Sequence, residues 1–204
     1  RTYVNKILSK ISGEYFKNYK IKKIKRLSDG IQLHYGDSNE FFKYEKVILA
    51  THADQALSII ESPTKNEIDI LSKFKYKKNL AIIHSDESVM PKNKKAWSAW
   101  NSRIDSFSKE NNSVTYWLNL LQNLEIKENI FLTLNPFFEI PKNKIFKEVE
   151  FDHPYYNQEA LDNQKLLNSI QNQKDVLFTG SYFGYGFHED GIKSSIDMIK
   201  YLND

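Results

Sequence analysis

With 204 residues, 40% of them hydrophobic and 27% charged, the chain is long enough for one large domain or two small ones and too apolar to be disordered. Its net charge of +3, with Lys and Glu interleaved, lacks the focused basic face of a nucleic-acid binder. The absence of cysteine excludes disulfides, thiolate catalysis and Cys-based zinc sites, and it fits a reducing compartment, so a cytoplasmic protein is expected.

The chain opens Arg1-Thr-Tyr-Val, without an initiator Met, directly into a helical pattern (Tyr3, Val4, Ile7, Leu8, Ile11) that stops near Ser12-Gly13. Such a start leads us to expect a further segment upstream. Residues 19–27 (YKIKKIKRL) alternate as a strand with a wet Lys face and a buried Ile face. Ser28-Asp29-Gly30 predicts a hairpin turn, 31–35 the return strand, 36–39 a second turn and 41–44 a third strand. Residues 45–50 read as a short buried strand that feeds a helix over 53–60, and Pro63 closes this block. A helix is expected over 67–74, followed by strands over 79–84, 96–101, 113–119, 130–134 and 144–151. Polar loops fall at 92–95 and 106–112, Asn135-Pro136 ends the sheet block, and 152–154 is read as a loop. A polar helix over 158–171, a last strand over 176–179, a glycine-punctuated turn and a helix to about Leu202 complete the order.

This order predicts an α+β interleaving: α/β elements in 1–63 and 173–204 flank a middle block, 64–172, built on a mixed or antiparallel sheet. No apolar run approaches the ~20 residues of a membrane span. There is no secretory h-region at the start.

The richest segment for function is 176–195 (VLFTGSYFGYGFHEDGIKSS), a strand, a glycine turn and a helix start. Free backbone N–H groups and the helix dipole can make such a turn an anion cradle, or it can be a tight structural turn. Gly184-Tyr-Gly186-Phe-His-Glu-Asp-Gly191 has the wrong spacing for G-x-G-x-x-G, and no βαβ partner follows it. Glu189 and Asp190 either complement the helix dipole or hydrogen-bond the hydroxyls of a ligand. His188 is the first candidate for a general acid or base and His84 the second. His34, His52, His84 and His153 show no metal spacing, so structural roles and no metal are expected. Trp97, Trp100, Tyr116 and Trp117 fall on expected strands and read as core or as an aromatic-lined pocket. No G-x-S-x-G elbow and no P-loop is present.

Taken in order, these segments resemble the flavin-containing amine oxidases. Residues 47–57 (VILATHADQAL) look like the strand-to-helix return of that superfamily, and 178–192 (FTGSYFGYGFHEDGI) like its last flavin-binding segment. Within it the chain is most similar to predicted bacterial NAD/FAD-binding proteins, through Met90-Pro91, 96–101 (AWSAWN), 113–119 (SVTYWLN), 133–136 (TLNP) and 184–191 (GYGFHEDG). The resemblance covers nearly the whole chain. It implies an FAD-dependent oxidoreductase with a Rossmann-like FAD lobe and a substrate lobe on a mixed sheet. It also implies that the flavin accepts a hydride from the substrate and passes electrons to oxygen or another acceptor.

By position, Ile21 would meet the adenine end of FAD, and Ala50 and Thr51 would line the return turn. Gly180 and Ser181 would approach the ribityl and pyrophosphate, and Gly186, Phe187, His188, Glu189, Asp190 and Gly191 would lie at the flavin ring. Trp97, Trp100, Tyr116 and Trp117 would shape the substrate side. The family's N-terminal G-x-G-x-x-G and its acidic ribose contact have no counterpart here, which implies a C-terminal portion that needs an N-terminal FAD-binding segment to hold the cofactor tightly. Some relatives sit beside cyclopropane fatty-acid synthases, so a lipid substrate competes with an amine. A non-catalytic ligand- or lipid-binding module is the alternative from another class.

Overall fold

Alternating apolar residues carry the first sheet. In a computed structural model of the chain, which describes residues 2–37, 40–106, 108 and 111–202, helix α1 (Thr2–Leu8) precedes strands β1 (Ile21–Leu27), β2 (Gly30–Tyr35) and β3 (Phe41–Tyr44). The strands pair antiparallel, and Leu27 meets Gly30 across the Ser28-Asp29 turn. Ile24 and Ile31 are buried while Lys22 and Lys25 stay in water. Ser38 and Asn39 of the expected second turn, and Phe107, Lys109 and Glu110 of the expected 106–112 loop, lie outside the described residues. The first helix ends at Leu8, short of the expected Ser12, and Tyr3 and Ile7 on its apolar stripe are exposed.

The short buried strand β4 (Val47–Leu49) feeds helix α2 (Ala53–Ile59), and α3 (Lys65–Leu71) follows. Helix α3 begins before the expected Glu67 because Thr64 and Glu67 form a capping box. Thr64 Oγ1 accepts the Glu67 N–H at 3.2 Å, and Glu67 Oε2 accepts the Thr64 N–H at 2.7 Å. Glu67 is fully buried and also receives both terminal nitrogens of Arg26, which ties β1 to α3.

Strands β5 (Lys75–His84), β6 (Trp100–Ile104), β7 (Asn112–Trp117), β8 (Phe131–Leu134) and β9 (Ile145–Tyr155) form one sheet in the order β6-β7-β8-β5-β9. A single-turn helix, α4 (Leu118–Leu121), links β7 to β8, so the strand expected to reach Asn119 stops at Trp117. The strand expected at 96–101 starts only at Trp100. Asn93 Oδ1 caps a 3-10 turn at Lys94–Ala96, and the Asn101 side chain bonds both the N–H and the carbonyl of Ser98, which keeps Ser98 out of the ladder. The expected loop at 152–154 is instead part of β9. That strand lies on the sheet edge, where Pro154 costs no inner ladder bond.

Helix α5 (Gln158–Gln164), strand β10 (Val176–Phe178) and helix α6 (His188–Met198) end the chain. The expected long helix over 158–171 breaks after Gln164, and a 3-10 turn at Leu167–Ile170 buries Leu167 and Ile170 together, since i and i+3 eclipse in that geometry. Strand β10 pairs parallel with β4, in the register Val176 to Val47 and Phe178 to Leu49. Its other edge is closed by a side chain: Gln171 donates to the Phe178 carbonyl at 2.7 Å and accepts the Phe178 N–H at 2.9 Å, as a neighbouring strand would.

The chain divides into two compact units, residues 1–75 with 156–204, and residues 76–155. In the first, the fully buried strand β10 packs in a core with Leu71, Leu167, Ile170 and the Ala53/Ala56 face of α2. In the second, Ile82, Val89, Met90, Phe131 and Ile140 form the core, with Trp97, Trp117, Phe138 and Ile145 against it. Among the described residues no helix is long and apolar enough to cross a membrane.

Candidate functional site

Parallel pairing of β4 with β10 brings two strand-to-helix turns side by side. β4 leaves through Ala50 and Thr51 into α2, and β10 leaves through Thr179, Gly180 and Ser181 toward α6. The ladder continues into the turns, where the Thr179 N–H donates to the Leu49 carbonyl at 3.0 Å. In open α/β sheets the C-terminal ends of such strands are where ligands bind.

Gly180 sits at the crossing. Its φ is +157°, and a Cβ there would lie 2.7 Å from a Tyr182 ring carbon and 3.4 Å from the Thr51 carbonyl oxygen. Tyr182 is buried and packs against Phe74, so its ring has no room to retreat. Only glycine lets the two turns approach this closely. Three hydroxyls then fasten the strand end to α6. Thr179 Oγ1 lies 2.7 Å from Ser194 Oγ and 2.8 Å from Ser195 Oγ, and Ser194 Oγ accepts the Gly180 N–H at 3.0 Å.

Asp190 organises the glycine turn. One carboxylate oxygen accepts the N–H groups of Tyr185 and Phe187 at 3.0 and 2.9 Å. Gly184 is held against it, since a Cβ there would lie 2.3 Å from the Asp190 carboxylate. The cap contact to Phe187 is half of a capping box and complements the helix dipole. The N–H groups at the start of α6 have no intrahelical partner.

A cavity of about 460 Å³ opens at this helix start, lined by Ser181, Gly186, Phe187, His188, Gly191, Ile192 and Ser195, and by Tyr3 and Ile7 of α1. The fold thus gathers five of the residues singled out from sequence around one space. Thr51 and Gly180 are outside its lining and meet each other where the paired turns cross, and Ala50 is exposed. Glu189 points to solvent, and Asp190 borders a separate groove with Gln164 and Lys193. Ile21 stands on another sheet, opposite Tyr35. His188 is exposed at the first position of α6.

In the second unit the four aromatic residues separate. Trp97 and Trp117, half-buried against the core, meet edge to face at 5.3 Å and satisfy their indole N–H groups on the Pro91 carbonyl and Asn129 Oδ1. Trp100 and Tyr116 pair across β6 and β7 at 5.4 Å, and Trp100 is 66% exposed, so these two mark the open face of the sheet. His84 is fully buried in the same unit, bonded to Thr133 and to the Asp86 N–H. Desolvation holds its imidazole below the usual histidine range, against the pull of Asp86.

Sequence reasoning missed Ser194, Ser195 and Tyr156. The two serines close the 176–195 segment at i+3 and i+4 from Gly191, which is a legible signal for a shared face. The Tyr156 hydroxyl reaches the Ser181 carbonyl at 3.5 Å, and burial, helped by Asp190, pushes its phenol up to about 12. It therefore serves only as a neutral donor. No local pattern announces it. Among the described residues no three His, Cys, Asp or Glu side chains gather as a metal site.

No protein-family model matches the sequence, and no curated protein does. Solved structures do match in fold. A CLA-producing fatty acid isomerase from P. acnes superposes with a TM-score of 0.69 at 12% identity, over 98% of this chain and 51% of that one. A putrescine oxidase variant redesigned in cofactor binding gives 0.59 at 10% identity, over 98% and 52%. Cyclohexylamine oxidase from Brevibacterium oxydans gives 0.53 at 10% identity, over 91% and 49%. At these identities the likeness shows the fold: a mixed α+β arrangement with several sheets that matches part of such enzymes. The chain spans about half the length of the structures it resembles.

Proposed function

We propose that this chain is the C-terminal part of an FAD-dependent oxidoreductase of amine-oxidase type. The observation that carries the reading is the pair of parallel strand ends, 50–51 and 180–181, beside a cavity that opens on the first turn of α6. The residues present fit a dinucleotide cofactor. Gly191 leaves backbone open at the cavity, Gly180 lets the two turns meet beside it, and helix-start N–H groups suit an acceptor-rich ligand.

When bound, FAD supplies the redox chemistry, taking a hydride from the substrate and handing electrons on to an acceptor. The chain's own residues bind and orient. Gly180 and Ser181 present backbone to the ribityl and pyrophosphate, Ala50 and Thr51 line the return turn, and Ile21 meets the adenine end. Gly186, Phe187, His188 and Gly191 border the ring, where the helix dipole favours negative charge. Asp190 acts mainly by shaping the turn, and Glu189 is free to take a hydroxyl. His188 is the candidate to hold or move a proton. In this reading 1–63 and 173–204 belong to the cofactor lobe and 64–172 to the substrate lobe, with Trp100 and Tyr116 on its open face and Trp97 and Trp117 behind them.

The exposed Ile192 and Ile196 of α6, with Ile199 just past its end, are apolar surface on which an upstream FAD-binding segment would pack. The substrate is a small amine or a fatty-acyl lipid, and the bacterial cytoplasm is the working compartment. The test is titration of FAD, followed by quenching of its fluorescence, into the protein in the length its gene encodes. Saturable binding is expected. Absence of binding would remove the redox reading and favour a non-catalytic ligand- or lipid-binding module, which the apolar face of Trp100 and Tyr116 also suits.

A further inference from the structure

The second unit holds a cavity of its own, on the opposite face of the sheet from Trp100 and Tyr116. Successive residues of a strand point to opposite faces, so Asn101 and Arg103 of β6 and Thr115 of β7 share the covered face. The 88–92 segment lines the same cavity, which holds about 300 Å³, with Thr115 buried at its floor and Arg103 exposed at its mouth. Val89, Met90 and Pro91 make its apolar wall.

Among the described residues its lining carries two cations and no acid. The neighbouring acids are already paired: Asp86 accepts from Lys144 at 2.8 Å and from Ser88 at 2.7 Å, and Glu87 accepts from Lys94 at 2.9 Å and Asn129 at 2.7 Å. Lys92 and Arg103 line the cavity, and among the described residues neither has a carboxylate partner. Arg103 rests over the Phe138 ring at 4.5 Å.

A chain of hydrogen bonds ends at the same place. His84 Nδ1 accepts the Asp86 N–H at 3.1 Å, so the proton of the neutral ring sits on Nε2. That N–H donates to Thr133 Oγ1 at 2.8 Å, which turns the Thr133 proton toward Thr115 Oγ1, also at 2.8 Å. The Thr115 proton is the last in the row and has no acceptor among the described residues. Two residues along the same face, just outside the lining, Ser113 is 2% exposed, stands opposite Arg103 in the ladder, and has a buried hydroxyl with no hydrogen-bond partner among the described residues. Buried hydroxyls without partners are uncommon and point to a missing group.

We propose that this cavity binds a small organic carboxylate, held by the charges of Arg103 and Lys92 and by the hydroxyl of Thr115. A carboxylate only accepts, which matches a lining that offers donors, and its alkyl part fits the Val89–Pro91 wall. The inference is independent of the flavin reading, since every group it uses lies in residues 84–144.

The test is calorimetric titration of the intact chain with sodium butyrate at constant ionic strength, with inorganic phosphate as the competing anion. Saturable one-site binding is expected, with phosphate weaker than butyrate. Arg103→Gln and Thr115→Val should each weaken binding about tenfold, the scale of one hydrogen bond to a charged group. Thr115→Ser should keep it, and Lys147→Gln, an exposed change on β9, should leave it unaltered. Arg103 is exposed, so its variant reports on the site even if Thr115→Val fails to fold. No saturable butyrate binding, butyrate binding indifferent to Arg103→Gln, or preference for phosphate would each overturn the proposal.

Discussion

Replacing Gly191 with alanine should move stability and cofactor affinity in opposite directions. Gly191 lies in the first turn of α6, and a Cβ there would find only the Ser181 amide nitrogen within 4 Å, at 3.8 Å. Its φ is not among the positive values, so alanine adopts the backbone without strain. Alanine exceeds glycine in a helix by about 0.8–1.0 kcal/mol, somewhat less near an end, so a gain of about 0.5–1 kcal/mol is expected. The added methyl, however, projects at the cavity that the flavin reading fills. Crowding of one methyl into a fitted site costs about 1–3 kcal/mol, or at least about a fivefold loss of FAD affinity. Urea unfolding followed by far-UV circular dichroism measures the first effect. Tryptophan emission does not serve, because Trp97, Trp100 and Trp117 all lie in the 76–155 unit. FAD titration of the full gene product measures the second. A destabilised variant would contradict the local geometry, and unchanged FAD affinity in both Gly191→Ala and Gly191→Val would place the cofactor elsewhere.

Three further outcomes follow from the same contacts. Arg26→Ala strands the fully buried Glu67 carboxylate with one backbone N–H, and a loss of about 3–5 kcal/mol is expected by urea unfolding; the double variant Arg26→Met with Glu67→Leu should lose less than Arg26→Ala alone, and additive losses would refute the pairing. Gly180→Ala should cost about 1–3 kcal/mol, because its Cβ meets the immobile Tyr182 ring; a neutral change in melting temperature would argue against the close turn. His84 carries a pH dependence whose sign is fixed by burial. Above its unfolded pKa of about 6.5 both states are neutral; as pH falls below that, the unfolded chain takes up a proton that the folded chain resists, so stability drops by up to about 1.4 kcal/mol per unit. Tryptophan-monitored unfolding between about pH 7 and 5 should show a shallower slope in His84→Gln, and an equal slope would mean that His84 protonates freely in the fold.

Local elements of this fold are legible in the residues because local physics sets them. Alternation over 31–35 (Ile31, Leu33, Tyr35) and the Asp-Gly turn specify the meander, although Ile21 and Ile24 are three apart and the ladder shifts register between Ile21 and Lys23; the apolar runs at 47–49 and 176–178 specify buried strands. Their parallel pairing is not legible, because nothing in either run names a partner so distant in sequence. Gln171 is equally silent: its amide replaces a strand only once the chain has folded. Side-chain competition with the backbone, by Asn93 and Asn101, delays β6 to Trp100 and defeats the periodicity there. For the site, sequence reading finds the glycine turn and its flanking residues. It leaves two questions open that geometry resolves, the use of Asp190 as a cap and the division of the aromatic residues into a core pair and a surface pair.

The most direct test of the central claim is the visible absorption spectrum of the gene product, purified at its natural length without added cofactor. The account predicts the two bands of oxidised flavin, in near-stoichiometric amount and depleted in Gly191→Val. A colourless protein that also fails to take up added FAD would contradict it.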